Sequence, residues 1–324
     1  MAEWLVERGI GEDRAIRLDG AEVIAARLEC HGGHKAGAVA EARLVSRRAG
    51  SRRGTLRFSD GTQALVSGLD ARASEGADLR VVITREAIAE EGRFKLAQCR
   101  PTDRPIAPAP SLFERLAANG DAARAVNAFP AGAWEDILSD AFHGEIAFAG
   151  GSLLVCATPA MTLIDVDGAA PPRELARASA AAAARAIARL DLSGAIGIDF
   201  PSLERREDRR AVDEALARAL RDWPHQATAM NGFGFVQLVA RLERASILHL
   251  VALDRPASAA RALLRQAERV ADPGRLLLTA HPAVHAAVTA DWEAELSRRT
   301  GREILWQTDP ALAIESGFAQ ASPA

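Results

Sequence analysis

The chain has 324 residues, 48% of them hydrophobic and 26% charged, with a formal net charge of −3. That length suffices for roughly two globular domains. The near-neutral balance excludes a globally basic nucleic-acid binder, although a local basic patch can hide inside such a total. No apolar run approaches the roughly 20 residues of a membrane-spanning helix, and the start MAEWLVERG lacks the order of a secretory signal, so no membrane partner is expected. Cys30, Cys99 and Cys156 lie too far apart for a disulfide framework or a paired zinc site, and a cytoplasmic location fits.

From Ala2 to about residue 100, short alternating runs such as AIRLDGAEVIAARLE, RGTLRFSDGTQALVSGL and LRVVITREA are broken by Gly, Asp-Gly and Ser, the pattern of β-hairpins. Residues 1–100 therefore read as a β-rich N-terminal region. Residues 101–110, rich in proline, read as a linker. Beyond it, FERLAANGDAARAVNAF reads as helix, GEIAFAGGSLLVCATPAMTLIDVDG as strands, and the alanine-rich segment from about Arg173 to Leu190 as helix. GAIGIDF reads as strand, EDRRAVDEALARALRD as helix, and GFGFVQLVA and ASILHLVAL as further strands. Strands alternating with helices predict a layered α/β domain over 111–253. Residues 254–324 are expected to form a small α/β appendage, with helices at SAARALLRQAERVA and HAAVTADWEAELSRRT and strands at RLLLTA and EILWQTD.

The strand in AMTLIDVDGAAPP ends in two carboxylates. Alternation puts Met161, Leu163, Asp165 and Asp167 on one face and Thr162, Ile164 and Val166 on the other, so the acidic face is expected to pass from core to charge. GAIGIDF ends likewise in Asp199. Carboxylates at the ends of neighbouring strands would converge where α/β sheets bind ligands, and a hard cation such as Mg²⁺ would relieve their repulsion. That points to phosphoester chemistry. Asp167-Gly168 is equally a standard turn pair, and a strand-end aspartate often caps the next helix.

In order along the chain, GGSLLVCATPAMTLIDVDGA, LDLSGAIGIDF and MNGFGFVQLVARL resemble the catalytic core of the ribonuclease E/G family, over roughly residues 144–250. The resemblance implies a multidomain α/β protein: an N-terminal β-rich part with an oligonucleotide-binding-type barrel at about 36–99, and a catalytic part of ribonuclease H-like and deoxyribonuclease-I-like character. It implies an endoribonuclease that cuts single-stranded RNA and leaves 5′-phosphate ends, with Asp165 and Asp199 binding Mg²⁺ (Mn²⁺ as a substitute) and Asp167 standing where the family has a supporting asparagine. Gly232 and Gln237 stand where the family has arginine and glutamate. The family's CPxC link is missing, so no zinc and no zinc-linked tetramer are expected, and too few residues remain beside the barrel for a full 5′-end sensor. An RNA-binding relative with weakened or lost catalysis is the alternative reading, and an unrelated small-molecule phosphodiesterase a third.

Residues 35–58 hold Lys35, Arg43, Arg47, Arg48, Arg52, Arg53 and Arg57 against a single acid, Glu41. Arg52, Arg53 and Arg57, with Phe58 as a stacking surface, would suit single-stranded RNA, whereas the bland reading is a solvated loop. Arg205, Arg206, Arg209 and Arg210 alternate with Glu204, Glu207 and Asp208 and read as an ion-paired face. Cys30, His31 and His34 read as a glycine-bent loop, and His281 and His285 as packing residues.

Overall fold

Strand pairing at the N-terminus begins from three runs that a tight turn can join. In the computed structural model, which describes residues 2–90 and 93–323, β1 (Glu3–Arg8), β2 (Glu12–Asp19) and β3 (Glu22–Cys30) form an antiparallel meander. A closed barrel comes next: β4 (Val39–Arg47), β5 (Arg53–Arg57), β6 (Gln63–Ser67) and β7 (Asp78–Arg85), then the small hairpin β8 (Ile88–Glu90) and β9 (Arg93–Lys95), then β10 (Ala97–Pro101). The barrel order is β10-β6-β5-β4-β7, with β10 parallel to β6 and antiparallel to β7. A small barrel was expected here, and it has its own core of Leu44, Leu56, Phe58, Leu69, Val81 and Ile83 among others.

After the proline-rich segment come α1 (Leu112–Ala118), β11 (Ala123–Val126), α2 (Ala133–His143), β12 (Glu145–Phe148), β13 (Gly151–Ala157), β14 (Thr162–Asp167), α3 (Pro172–Arg189), β15 (Ala195–Asp199), α4 (Arg206–Ala219), β16 (His225–Ala227) and β17 (Phe235–Ala240). The chain ends with α5 (Ile247–Leu253), α6 (Arg255–Glu268), β18 (Arg275–Ala280), α7 (Pro282–Ala287), α8 (Ala290–Thr300), β19 (Ile304–Thr308) and β20 (Phe318–Ser322).

Three elements differ from the sequence expectation, one of them HAAVTADWEAELSRRT, which the extended Val288-Thr289 divides into α7 and α8. FERLAANGDAARAVNAF is a short helix that stops at Asn119-Gly120, followed by β11, which pairs in parallel with β1 at the sheet edge. ASILHLVAL is the helix α5 rather than a strand: the Ser246 hydroxyl accepts from the His249 N–H, and Ile247, Leu248 and Val251 bury one helical face. A short apolar run carries no period of its own, so the cap decides.

The N-terminal strands do not form one unit with the barrel. Pairing of β1 with β11 ties them to the chain beyond the proline-rich segment, and Leu5, Ile16 and Leu28 belong to the same core as Ile164, Ile198 and Leu264. The barrel is an insertion between β3 and α1. β1 is covered on both faces: Trp4 and Val6 pack with Leu112 and Leu116, while Leu5 and Glu7 face the other way. Glu7, fully buried, is an ion-pair hub, with Arg14 at 2.6 Å, Arg269 at 2.7 Å and Arg265 at 3.0 Å. Glu12 meets Arg261 at 2.9 Å. Residues 254–324 therefore share core and charges with the N-terminal sheet rather than hanging off the end as an appendage.

The six-stranded sheet runs β12-β13-β14-β15-β17-β16, antiparallel except for the parallel pair β14–β15. α3 lies between this sheet and β3. Its alanine content makes that possible: Ala176, Ala180, Ala182, Ala183, Ala184 and Ala186 are all buried, and small side chains let the helix approach both layers. Among the described residues no helix is long and apolar enough to cross a membrane.

Candidate active site

With α3 and α4 on one side of the six-stranded sheet, the other side of β14 and β15 is open. Thr162, Ile164 and Val166 point into the core at 2%, 0% and 9% exposure, while Leu163, Asp165 and Asp167 point out. The expected passage from core to charge is thus corrected. Leu163 is 37% exposed, so the acidic face is the outer face along the whole strand, and the core needs only the other three positions. β15 repeats the pattern, with Ile196 and Ile198 inward and Asp199 outward.

Parallel pairing places Asp165 directly opposite Asp199. Neighbouring strands lie about 4.8 Å apart, so two like charges share one face at close quarters. Neither carboxylate is paired with a cation among the described residues, whereas acids on α4 are, as in Arg173–Asp208 at 2.9 Å and Arg210–Glu214 at 3.2 Å. Asp167 stands two residues further along β14, opposite Ser152, and its Oδ1 accepts the Gly168 N–H at 2.8 Å. The structure brings two of the three aspartates side by side and puts the third at the last position of β14, before the turn. Among the described residues no three His, Cys, Asp or Glu side chains are grouped to hold a metal ion. Two oxygen donors without a protein counter-ion nevertheless suit Mg²⁺, which commonly takes one or two carboxylates and completes its shell with water and phosphate oxygens.

The site has a wall. Phe235 lies opposite Asp199 in the register, and its ring covers Gly197, where a Cβ would come within 2.5 Å of the ring. Only glycine admits that ring here. Gln237, opposite Gly197, is on the same outward-facing set as Phe235. Just before β17, Asn231 folds the chain back: its Oδ1 accepts the N–H groups of Phe233 at 2.9 Å and Phe235 at 3.1 Å. Phe233, 82% exposed, sits at the tip of this turn. Sequence reasoning passed over Phe233 and Phe235; the turn-dense NGFGF directly before a strand was the available signal.

On the barrel, Arg53 and Arg57 point outward with Thr55, and Arg43 stands directly opposite Arg57. Two arginines facing each other across a ladder repel. The side chains of Arg43, Arg53 and Arg57 form no hydrogen bond or ion pair with a described residue, whereas Arg52 is exposed and its Nε donates to the Leu69 carbonyl at 3.2 Å. Leu65, 42% exposed, faces outward opposite Thr55. Phe58 corrects the sequence reading: it is 4% exposed, sits two residues after Leu56 on the inward side, and stacks on His34 with ring centroids 3.8 Å apart. A ring that closes the barrel core offers no face to a base.

The barrel's hairpin meets the sheet at the far end. Ile88, Glu90 and Lys95 line a cleft with Thr158–Thr162 and Ser193–Ala195, where β14 and β15 begin, while Asp165 and Asp199 lie where they finish. The remaining clusters are structural. His31 and His34 pair with Asp13 and Asp60 at 2.9 and 3.0 Å, His281 caps α7, and His285 stacks on Trp306. Arg205 and Arg210 pair with Glu207 and Glu214, and Arg209 donates to the Leu203 and Glu204 carbonyls.

The chain is thus mixed α/β with a closed barrel, and two carboxylates with no cation partner among the described residues share an open sheet face. Residues 121–241 match the model of the Ribonuclease E/G family, a span that runs from just before β11 to just past β17 and contains Asp165, Asp167 and Asp199. The match points to an endoribonuclease-like function for this segment. No curated protein matches the chain.

Proposed function

We propose that the chain is a Mg²⁺-dependent endoribonuclease acting on single-stranded RNA and leaving 5′-phosphate ends. The observation that carries this is the register pair Asp165–Asp199, two exposed carboxylates held side by side with no cation of a described residue between them, inside the segment that matches the family. Asp165 and Asp199 would hold the ion through their carboxylate oxygens; when bound, it supplies charge stabilisation at the scissile phosphate and lowers the pKa of a water. Asp167, two residues further along β14, accepts a proton from the attacking water and orients it. The water oxygen forms a new bond to phosphorus, the P–O3′ bond breaks, and the leaving 3′ oxygen takes up a proton from solvent water. Arg43, Arg53 and Arg57 on the barrel, whose side chains have no partner among the described residues, hold the strand by its phosphates. A cytoplasmic setting goes with this reading.

The test is cleavage of end-labelled, unstructured RNA with Mg²⁺, with Mn²⁺ and with chelator, beside the Asp165→Ala/Asp199→Ala double variant. Metal-dependent cleavage lost in the double variant supports the nuclease. Binding without cleavage under every metal refutes it and leaves an RNA-binding relative, the reading that Gly232 and Gln237 favour.

A further inference from the structure

Phe233 has the highest exposure, 82%, among the exposed large hydrophobic side chains of the described residues. Single exposed apolar groups are common and need no function. This one differs in how its backbone is held. Asn231 Oδ1 accepts the N–H groups of Phe233 and Phe235, the Ser202 hydroxyl donates to the Phe233 carbonyl at 3.0 Å, and the Gly234 N–H donates to the Asn231 carbonyl at 3.2 Å. The Phe200 N–H in turn donates to the Gly234 carbonyl at 3.2 Å. Gly234 is at φ +94°, and a Cβ there would lie 2.1 Å from the Phe200 carbonyl oxygen. The turn is thus bolted to Phe200 and Ser202, close behind Asp199 in the chain. A highly exposed ring on so constrained a turn gains nothing for folding, but it reaches a ligand with its backbone ordering already in place. Beside it, Gly232 leaves open space: apart from its chain neighbours, nothing lies within 4 Å of where its Cβ would be.

We propose that Phe233 is a stacking platform for one unpaired base of the RNA next to the phosphate held at Asp165 and Asp199, so that it selects strands whose bases can be splayed out. This rests on the nuclease reading of the two aspartates. Every base has a π-face, so the platform selects single-stranded over paired RNA rather than one sequence over another. Phe94, the next most exposed aromatic ring, belongs to the hairpin at the other end of β14 and β15 and does not share this position.

The experiment uses the full chain and a single-stranded RNA decamer carrying 2-aminopurine at each position in turn. Binding is read with Ca²⁺ in place of Mg²⁺, so that a cation still bridges the carboxylates and the phosphate, and cleavage is read in Mg²⁺. Quenching is expected at one position, adjacent to the mapped cut, and Phe233→Leu abolishes that quench and weakens binding roughly tenfold. Phe233→Trp restores both, and the melting temperature is unchanged because the ring is almost bare of packing. Phe233→Leu with quench intact and affinity within twofold of the unaltered chain, while cleavage persists, overturns the platform alone. A quench lost in Phe233→Leu in a chain that never cleaves supports the platform and overturns the nuclease reading.

Discussion

Phe58 tests whether the barrel's aromatic ring is structure or binding surface. It is 4% exposed in a core of eleven buried residues and is the only aromatic among them. Truncating a buried phenylalanine to alanine costs about 3–5 kcal/mol. A barrel of about sixty residues, Val39 to Pro101, has roughly 3–9 kcal/mol of stability at 0.05–0.15 kcal/mol per residue. Phe58→Ala therefore consumes most of what holds the barrel, and His34 loses its stacking partner as well. Phe58→Leu keeps most of the volume and costs on the order of 1 kcal/mol. Amide hydrogen exchange with thermal melting should show barrel protection collapsing in the alanine variant, with the core around Ile164 and Leu264 still protected, and RNA affinity falling only because the barrel opens. The leucine variant should keep both protection and affinity. A leucine variant with native protection but tenfold weaker RNA binding would refute the reasoning, since it would mean that a base reaches the ring.

Replacing Arg53 and Arg57 with glutamine should lower RNA affinity without moving the melting temperature, and should flatten the slope of log affinity against log salt by about 0.7 for each phosphate no longer neutralised; an unchanged slope in a salt titration rules out a role for those arginines at the phosphates. Glu7→Gln leaves the guanidinium groups of Arg14, Arg265 and Arg269 short of a buried counter-charge, where burial already pulls Arg14 below its usual pKa. A loss of about 3–5 kcal/mol in urea unfolding is expected. Burial holds His249 below its ordinary pKa of 6.5, so it charges more readily when unfolded than when folded. Its contribution is intact above about pH 6.5 and is lost as pH falls from there through the lowered native value. His249→Phe should flatten that part of the stability–pH curve relative to the unaltered chain, and identical slopes for the two chains would remove His249 as the cause.

What could be read from residues alone was whatever depended on local pattern. β14, β15, α3, α4, α6 and β18 all fall close to where periodicity puts them, and the two strand-end aspartates came from alternation. What could not be read depended on partners distant in sequence. β11 is a strand because β1 pairs with it, with the Trp4 N–H donating to the Ala122 carbonyl and the Trp4 Nε1 to Asp121. The Glu7 hub needs arginines from α6 and its C-cap, such as Arg269, 262 positions away. The open face of Leu163 reflects the lack of a covering layer on that side, which no strand can announce from its own residues. Phe58 was legible in principle: it continues the inward series of Leu56, and its neighbourhood of arginines drew attention to charge instead.

The chain enters the barrel at Val39 and leaves at Ala107, and these two residues exchange backbone hydrogen bonds of 2.9 and 3.2 Å. The link from β7 to β8 adds a second foothold, through the Glu86 N–H to the Glu243 carbonyl. The two crossings thus lie one ladder step apart. A bridge of a few residues in place of the stretch from Val39 to Ala107 would leave unchanged the distance the rest of the chain must span. In genetic terms the barrel is laid out as a cassette: one excision would bring the segments that follow β3 and precede α1 together, and one exchange would give the same acidic sheet a different neighbour.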